Sequence, residues 1–237
     1  MTESLIESEA PAEITQEQAA ALVEGLEEPF HRLSTVKVFA NLALQLKEKM
    51  GEYETVLSDD ASGRIVSRVF ETIINKTRKE KDEKFAPTYF LAGGRDMDNT
   101  EAITEFLREK GDLGKTLLVT ENINKGKSIS RIIDILSELG IDFDLATPSI
   151  NEKLKDEMPE KLEGLREKGR LYFGRFGPPA FLFHGQRDFS GVIKDRGQTS
   201  AHPRVIRPDV RKQDRIKQSR DNASILADRL YKLISET

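Results

Sequence analysis

The 237-residue chain contains no cysteine, no tryptophan and only three histidines. Without cysteine, a disulfide scaffold, a zinc–thiolate site and a thiol nucleophile are all excluded. The histidines His31, His184 and His202 show no spacing with Asp or Glu that would build a transition-metal site, and His31 and His202 read as surface residues. No apolar run approaches the roughly 18 residues that a membrane span needs. The opening segment MTESLIESEAPAE lacks the basic and apolar regions of a secretory signal. No Gly-x-Ser-x-Gly nucleophile elbow occurs. The expectation is a soluble, cytoplasmic protein with no membrane partner.

What is present is charge, unevenly spread. Charged residues make up 33% of the chain, above the usual quarter, while the net charge is only −4. Residues 1–30 carry eight glutamates and no base, and residues 170–220 carry twelve Lys and Arg against four Asp. Such asymmetry marks either an acidic arm and a basic, anion-binding face, or two solvated surfaces that balance.

Hydrophobic spacing sets the organisation. The first dozen residues read as a disordered leader, followed by helices over Thr15–Glu27 and Ser34–Met50, the second closed by Gly51. Strands are expected at Thr55–Leu57, Pro87–Ala92, Thr116–Val119, Ile141–Ala146 and Leu171–Phe173, with a further one over Ala180–Phe183. Helices are expected over Ile65–Lys76, from Asn99 or Thr100 to Arg108, and from Ser128 to Gly140, with Ser128 as a cap. Strands alternating with helices of this length predict βαβ units and an open, mostly parallel α/β sheet flanked by helices, with helical extensions at both ends. The expected division is an acidic leader over 1–30, an α/β domain over 31–205 and a polar helix over 206–237. In that last helix an apolar patch (Ile225, Leu226, Leu230, Leu233, Ile234) forms only near the end, for a dimer contact or for docking on the chain's own sheet.

In an open parallel sheet, ligands sit beyond the carboxyl ends of the strands. The sharpest loop there is Thr120-Glu121-Asn122-Ile123-Asn124-Lys125-Gly126-Lys127-Ser128, between an apolar strand and a helix. A glycine turn at a helix N-terminus presents free N–H groups and a positive dipole end, which together suit a phosphate. Lys125 and Lys127 add charge, Ser128 adds a hydroxyl, and Glu121 could face a sugar hydroxyl. Gly126-Lys127-Ser128 matches the end of a P-loop, but Glu121 stands where the first P-loop glycine belongs.

The segment resembles more closely the type I phosphoribosyltransferase family, whose signature is an apolar strand, two acids, two apolar residues, a spacer and Thr-Gly-x-Thr opening a helix. Leu117-Leu118-Val119 stands for the strand, Glu121 for the second acid, Ile123 for the second apolar residue, and Asn124 to Ser128 for the phosphate loop. Thr120 replaces the first acid, Asn122 an apolar residue, and Lys125 the first threonine. The resemblance implies that Asn124, Lys125, Gly126, Lys127 and Ser128 hold the 5′-phosphate of phosphoribosyl pyrophosphate (PRPP) or of a nucleoside monophosphate. It places the pyrophosphate at Asp60, Ala61, Ser62, Gly63 and Arg64, and makes Glu121 the catalytic acid that holds the ribose. Mg2+ would accompany PRPP, with Asp59 and Asp60 assisting through bound water, and a nitrogenous base would displace pyrophosphate. Gly93-Gly94-Arg95-Asp96 has no comparably specific counterpart in that signature.

A second function class rests on residues 170–194, where Phe173, Phe176, Phe181, Phe183 and Phe189 lie among arginines. Aromatics beside arginines stack nucleobases or bind single-stranded nucleic acid. The second reading is therefore a noncatalytic nucleotide-sensing or nucleic-acid-binding regulator on the same fold.

Overall fold

The computed structural model describes residues 14–93, 99–177, 189, 192–193, 199–202, 204–205 and 210–237. The main strands are β1 (Thr55–Ser58), β2 (Thr88–Phe90), β3 (Thr116–Val119), β5 (Phe143–Asn151) and β6 (Leu171–Gly177). A two-residue strand, β4 (Asn122–Ile123), pairs with Ser149 and Ile150 of β5, while β3 pairs with residues 143–146 of the same strand. β4 thus resumes the line of β3 after a break at Thr120-Glu121. All pairings in this sheet are parallel, in the order β2-β1-β3-β5-β6. A separate antiparallel pair joins β7 (Val192–Ile193) to β8 (Arg204–Val205).

Among the described residues seven α-helices flank the sheet: α1 (Gln16–Val23), α2 (Leu33–Leu46), α3 (Asp60–Glu80), α4 (Thr100–Lys110), α5 (Lys127–Glu138), α6 (Glu160–Glu167) and α7 (Val210–Glu236). Consecutive strand residues enter different cores, because side chains alternate across a sheet. Val56, Leu117, Val119 and Ala146 pack with α1, α2, α3 and α7. Leu57, Leu118, Leu145 and Ile150 pack with α4, α5 and α6 on the other face. Burial on both faces explains why β3 is Thr-Leu-Leu-Val throughout rather than alternating. The result is an open, doubly wound α/β sheet of Rossmann type, as the sequence pattern predicts.

Several boundaries differ from the sequence expectation: β6 runs to Gly177 instead of ending at Phe173, and the first two helices end earlier, at Val23 and Leu46. α3 begins at Asp60, so residues 60–64 form its first helical turn instead of a loop. It also runs on to Glu80 through half of the charged run, where Arg78 is buried and donates to the carbonyls of Tyr53 (3.1 Å) and Lys84 (2.6 Å). β5 continues five residues past Ala146, because β4 and β6 give its polar end backbone partners on both sides. In α7 the buried stripe starts much earlier than Ile225, which is itself exposed: Ile216, Ser219, Ala223, Leu226, Leu230 and Ile234 are all buried, and the stripe lies largely against α3. Its polar members are satisfied, Ser219 donating to the Phe189 carbonyl at 3.1 Å. α1 packs on α2 and α7, with Leu22, Leu26 and Phe30 buried and Arg229 donating to the carbonyls of Leu22 and Glu24. The expected strand at 180–183 lies outside the described residues.

The amino-terminal edge of the sheet is tied by one fully buried carboxylate. Asp144 Oδ1 accepts from Arg170 Nε at 2.8 Å and Lys115 Nζ at 3.4 Å, and Oδ2 accepts from the Tyr53 hydroxyl at 2.9 Å. Burial, reinforced by Asp144 beside it, pushes the Tyr53 hydroxyl up from its usual pKa, so it remains a donor. Removing Arg170 takes away the shortest of these bonds and leaves the buried carboxylate only partly compensated by Lys115 and the Tyr53 hydroxyl. Arg170→Leu is therefore expected to lower unfolding free energy by about 3 kcal/mol in urea titration. Asp142 joins the same cluster through Lys115 and Arg170. Partial desolvation raises its pKa, but those two cations outweigh this and hold it below the ordinary 3.8. Its contribution to stability is complete above that ordinary value and is lost as pH falls through the depressed one. Urea midpoints measured down the acid range should show this loss, and Asp142→Asn should flatten it.

Candidate functional site

Strand order reverses between β1 and β3, because α3 leaves β1 on one face and α5 leaves the β3 line on the other. Such a switch point is where doubly wound sheets bind ligands. Three structural details build it here. Asp59, at the end of β1, donates its N–H to the Val119 carbonyl at 2.8 Å, holding the two strand ends together. A Cβ at Gly63 would lie 2.6 Å from Ser58 Oγ and 2.9 Å from the Val119 carbonyl oxygen, so only glycine lets α3 start this close to the seam. The Thr120 hydroxyl donates to Asp59 Oδ2 at 3.3 Å.

Asp59, from the neighbouring strand end, thus brings a carboxylate against Thr120. Asp59 is buried at 6% exposure and Glu121 is fully buried. The two carboxylates therefore belong to a polar floor under the loop, not to its rim.

The loop itself is held by β5 and α6. Asn151 donates to Asn124 Oδ1 at 2.7 Å and to the Asn124 carbonyl at 3.2 Å. Asn124 is thus anchored through its side-chain oxygen, and its amide nitrogen is the group left for a ligand. Gly126 adopts φ 75°, in the left-handed region that favours glycine, and a Cβ there would lie 2.8 Å from Pro159 Cγ. It is the N-cap of α5, with no side-chain cap bond, so Ser128 lies inside the first turn and is not the cap the sequence suggests. An uncapped first turn leaves its N–H groups to be met by solvent or an anion. Lys125 and Lys127 are exposed on either side, and Ser128 is half-buried.

Further polar residues on β5 escape sequence reasoning. Thr147, Ser149 and Asn151 are buried at its carboxyl end. Ser149 Oγ, Ser58 Oγ and Asn122 Oδ1 have no hydrogen-bond partner among the described residues, an arrangement that native interiors rarely tolerate without a bound water or ligand. A Thr-Pro-Ser run reads as loop, so only the pairing register could reveal these residues as strand.

The remaining sequence-predicted groups separate. Asp60, Ala61, Ser62 and Gly63 form the first turn of α3, where the Gly63 N–H reaches back to the Asp59 carbonyl at 3.4 Å. Arg64 is turned to the outer strand instead, its guanidinium carbon 4.1 Å from the Phe90 ring centroid. Among the described residues no group of three or more His, Cys, Asp or Glu side chains converges on a metal position. Gly94, Arg95 and Asp96, and the cluster Phe181, Phe183 and His184, lie outside the described residues, while Phe189 is a core residue.

No protein-family model and no curated protein matches this chain. The site therefore stands on its own geometry. Gly126→Ala should strain the left-handed turn and press on Pro159, costing about 1–3 kcal/mol in urea unfolding.

Proposed function

We propose that the chain binds a phosphorylated ribose, PRPP or a nucleoside 5′-monophosphate, at the β4–α5 loop, in the manner of a phosphoribosyltransferase. The observation that carries this reading is the left-handed Gly126 opening an uncapped α5 between two exposed lysines, directly after the buried acids of the switch point. The N–H groups of the first turn of α5, with Lys125, Lys127 and Ser128, would hold the 5′-phosphate, and Asn124 would add its amide. The first turn of α3, with the backbone N–H groups of Asp60 to Ser62, would offer a second set of donors for pyrophosphate on the neighbouring strand end.

In the reaction this arrangement suits, the C1′–oxygen bond to pyrophosphate breaks as a base nitrogen bonds to C1′ from the opposite face, and the base then releases its proton. Positive charge develops on the ribose as the leaving group departs. Glu121, with Asp59 beside Thr120, places carboxylates under that charge, and fixed charges in a dry site stabilise it more strongly than water would. Mg2+ would neutralise the pyrophosphate leaving group. With Asp59 and Glu121 as the described donors, it would arrive largely on ligand oxygens and reach Asp59 through its waters. A P-loop reading needs glycine at position 121, and the buried Glu121 carboxylate would oppose a phosphate wrapped there.

Calorimetry with PRPP and Mg2+, and with nucleoside monophosphates, tests the binding. The paired substitution Lys125→Ala/Lys127→Ala is expected to weaken it by about tenfold or more, since charge-assisted phosphate contacts are worth about 1.5–3 kcal/mol each. No binding by the parent, or unchanged binding by the variant, would overturn the reading. If pyrophosphate is released with any base, Glu121→Gln should suppress release while leaving nucleoside monophosphate binding largely intact.

A further inference from the structure

The outer strand of the sheet carries a second cationic feature, distinct from the phosphate loop. β2 ends the sheet, and a cleft of about 410 Å3 opens on its α3 side, lined by Arg64, Arg68, Glu71, Phe90 and Arg220. A second cleft of about 370 Å3 shares Arg64, Thr88 and Phe90 with the first and continues past Tyr89 and Phe106 to Lys110 and His202. The two clefts thus share a wall at the β2 edge, and together they are read as one groove.

Its chemistry is consistent along its length. The lining residues of the two clefts include four Lys or Arg (Arg64, Arg68, Lys110 and Arg220) and one carboxylate, Glu71, which lies 3.4 Å from Arg68. Arg68, Arg220 and Lys110 are all exposed, Arg68 with 49% of its side chain in solvent. Between the cationic ends lie aromatic rings. Phe90 stands under Arg64, and Tyr89 and Phe106 meet edge to face at 5.9 Å with Lys110 above both. His202 packs on Phe106 at 4.4 Å and lies 3.1 Å from the Phe90 carbonyl through Nδ1, so the 200–202 segment walls the second cleft.

We infer that this groove binds single-stranded nucleic acid. An open groove cannot enclose most of a small ligand, as binding pockets do, so an extended occupant fits better. A basic track interleaved with aromatic and guanidinium faces is how unpaired strands are held: phosphates meet the cations, and exposed bases stack on the π faces. An acidic peptide would engage the cations alone, whereas a duplex keeps its base faces stacked internally. Arg64 is the centre of the groove, since both clefts share it. Its position over Phe90 gives that arginine a role separate from pyrophosphate binding.

The test is fluorescence anisotropy of the full chain with a labelled oligouridine of about 12 nucleotides, within the range of single-strand sites. Binding is expected at about 50 mM salt, with a log–log salt slope near −2, as about three phosphate contacts on a single strand give. Arg68→Glu/Arg220→Glu should weaken it by at least about tenfold, and the milder Arg68→Gln/Arg220→Gln by less, with thermal melts unchanged. Tyr89→Ala should cost about fivefold or more at constant salt slope, because it removes stacking and no charge. Absence of low-salt binding would overturn the inference, as would parent-like affinity in both arginine variants. Equal affinity for polyphosphate, polyglutamate or a duplex of the same length would overturn it as well.

Discussion

How closely the first turn of α3 approaches the seam between β1 and β3 sets the rest of the carboxyl edge. With a Cβ at position 63, the helix would collide with Ser58 Oγ and with the backbone oxygen of Val119, which is already committed to the Asp59 N–H. The backbone oxygen cannot rotate away, so helix and sheet would have to separate. Keeping them together leaves Asp59 facing Thr120 across the seam and turns two strand ends into one polar floor. A carboxylate there carries a desolvation cost that hydrogen bonds and neighbouring helix termini must offset. Both α3 and α5 begin at this edge, so their positive ends act on the same small region.

The two ends of the sheet treat buried polar groups in opposite ways. At the amino end, Asp144 is fully buried but accepts hydrogen bonds from Arg170, Lys115 and Tyr53. Around Asp144 the network is satisfied and acts as a clamp on β5 and on the segments that flank it. At the carboxyl end, hydroxyl and amide oxygens of Ser58, Asn122 and Ser149 lack such partners among the described residues. Buried oxygens of this kind are ordinarily met by bound water or ligand in native interiors.

Local sequence shows the elements whose residues are apolar on both faces. β1 and β3 are legible for that reason, and so is α5, whose isoleucines repeat at helical spacing. The start of α3 is not, because Asp-Asp-Ala-Ser-Gly offers the small polar residues of a turn, and these residues also favour helix N-termini. The end of β5 is hidden by Thr147-Pro148-Ser149, since proline and hydroxyl residues seldom continue a strand with partners on both sides. Gly126 between two lysines is visible as a turn without any structure. Asp59 as the partner of Thr120 is not, since 61 residues separate them and only the parallel pairing of β1 with β3 brings them together.

The same separation governs how the charge should be read. The basic segment at 170–220 looks like one anion-binding face in the sequence, but its arginines have different tasks. Arg170 is committed to Asp142 and Asp144, and Arg215 to Glu28 at 2.8 Å, near the end of the acidic leader. Acidic leader and basic helix thus meet in part as a structural contact. Arg220 joins Arg64 and Arg68, which come from a part of the chain that looks unremarkable in charge. Among the described residues, Lys125 and Lys127 are exposed at the α5 entrance, and at the β2 edge Arg220 of the basic segment meets cations from elsewhere in the chain. Net charge by segment measures composition, whereas an anion responds to where the fold brings the cations together.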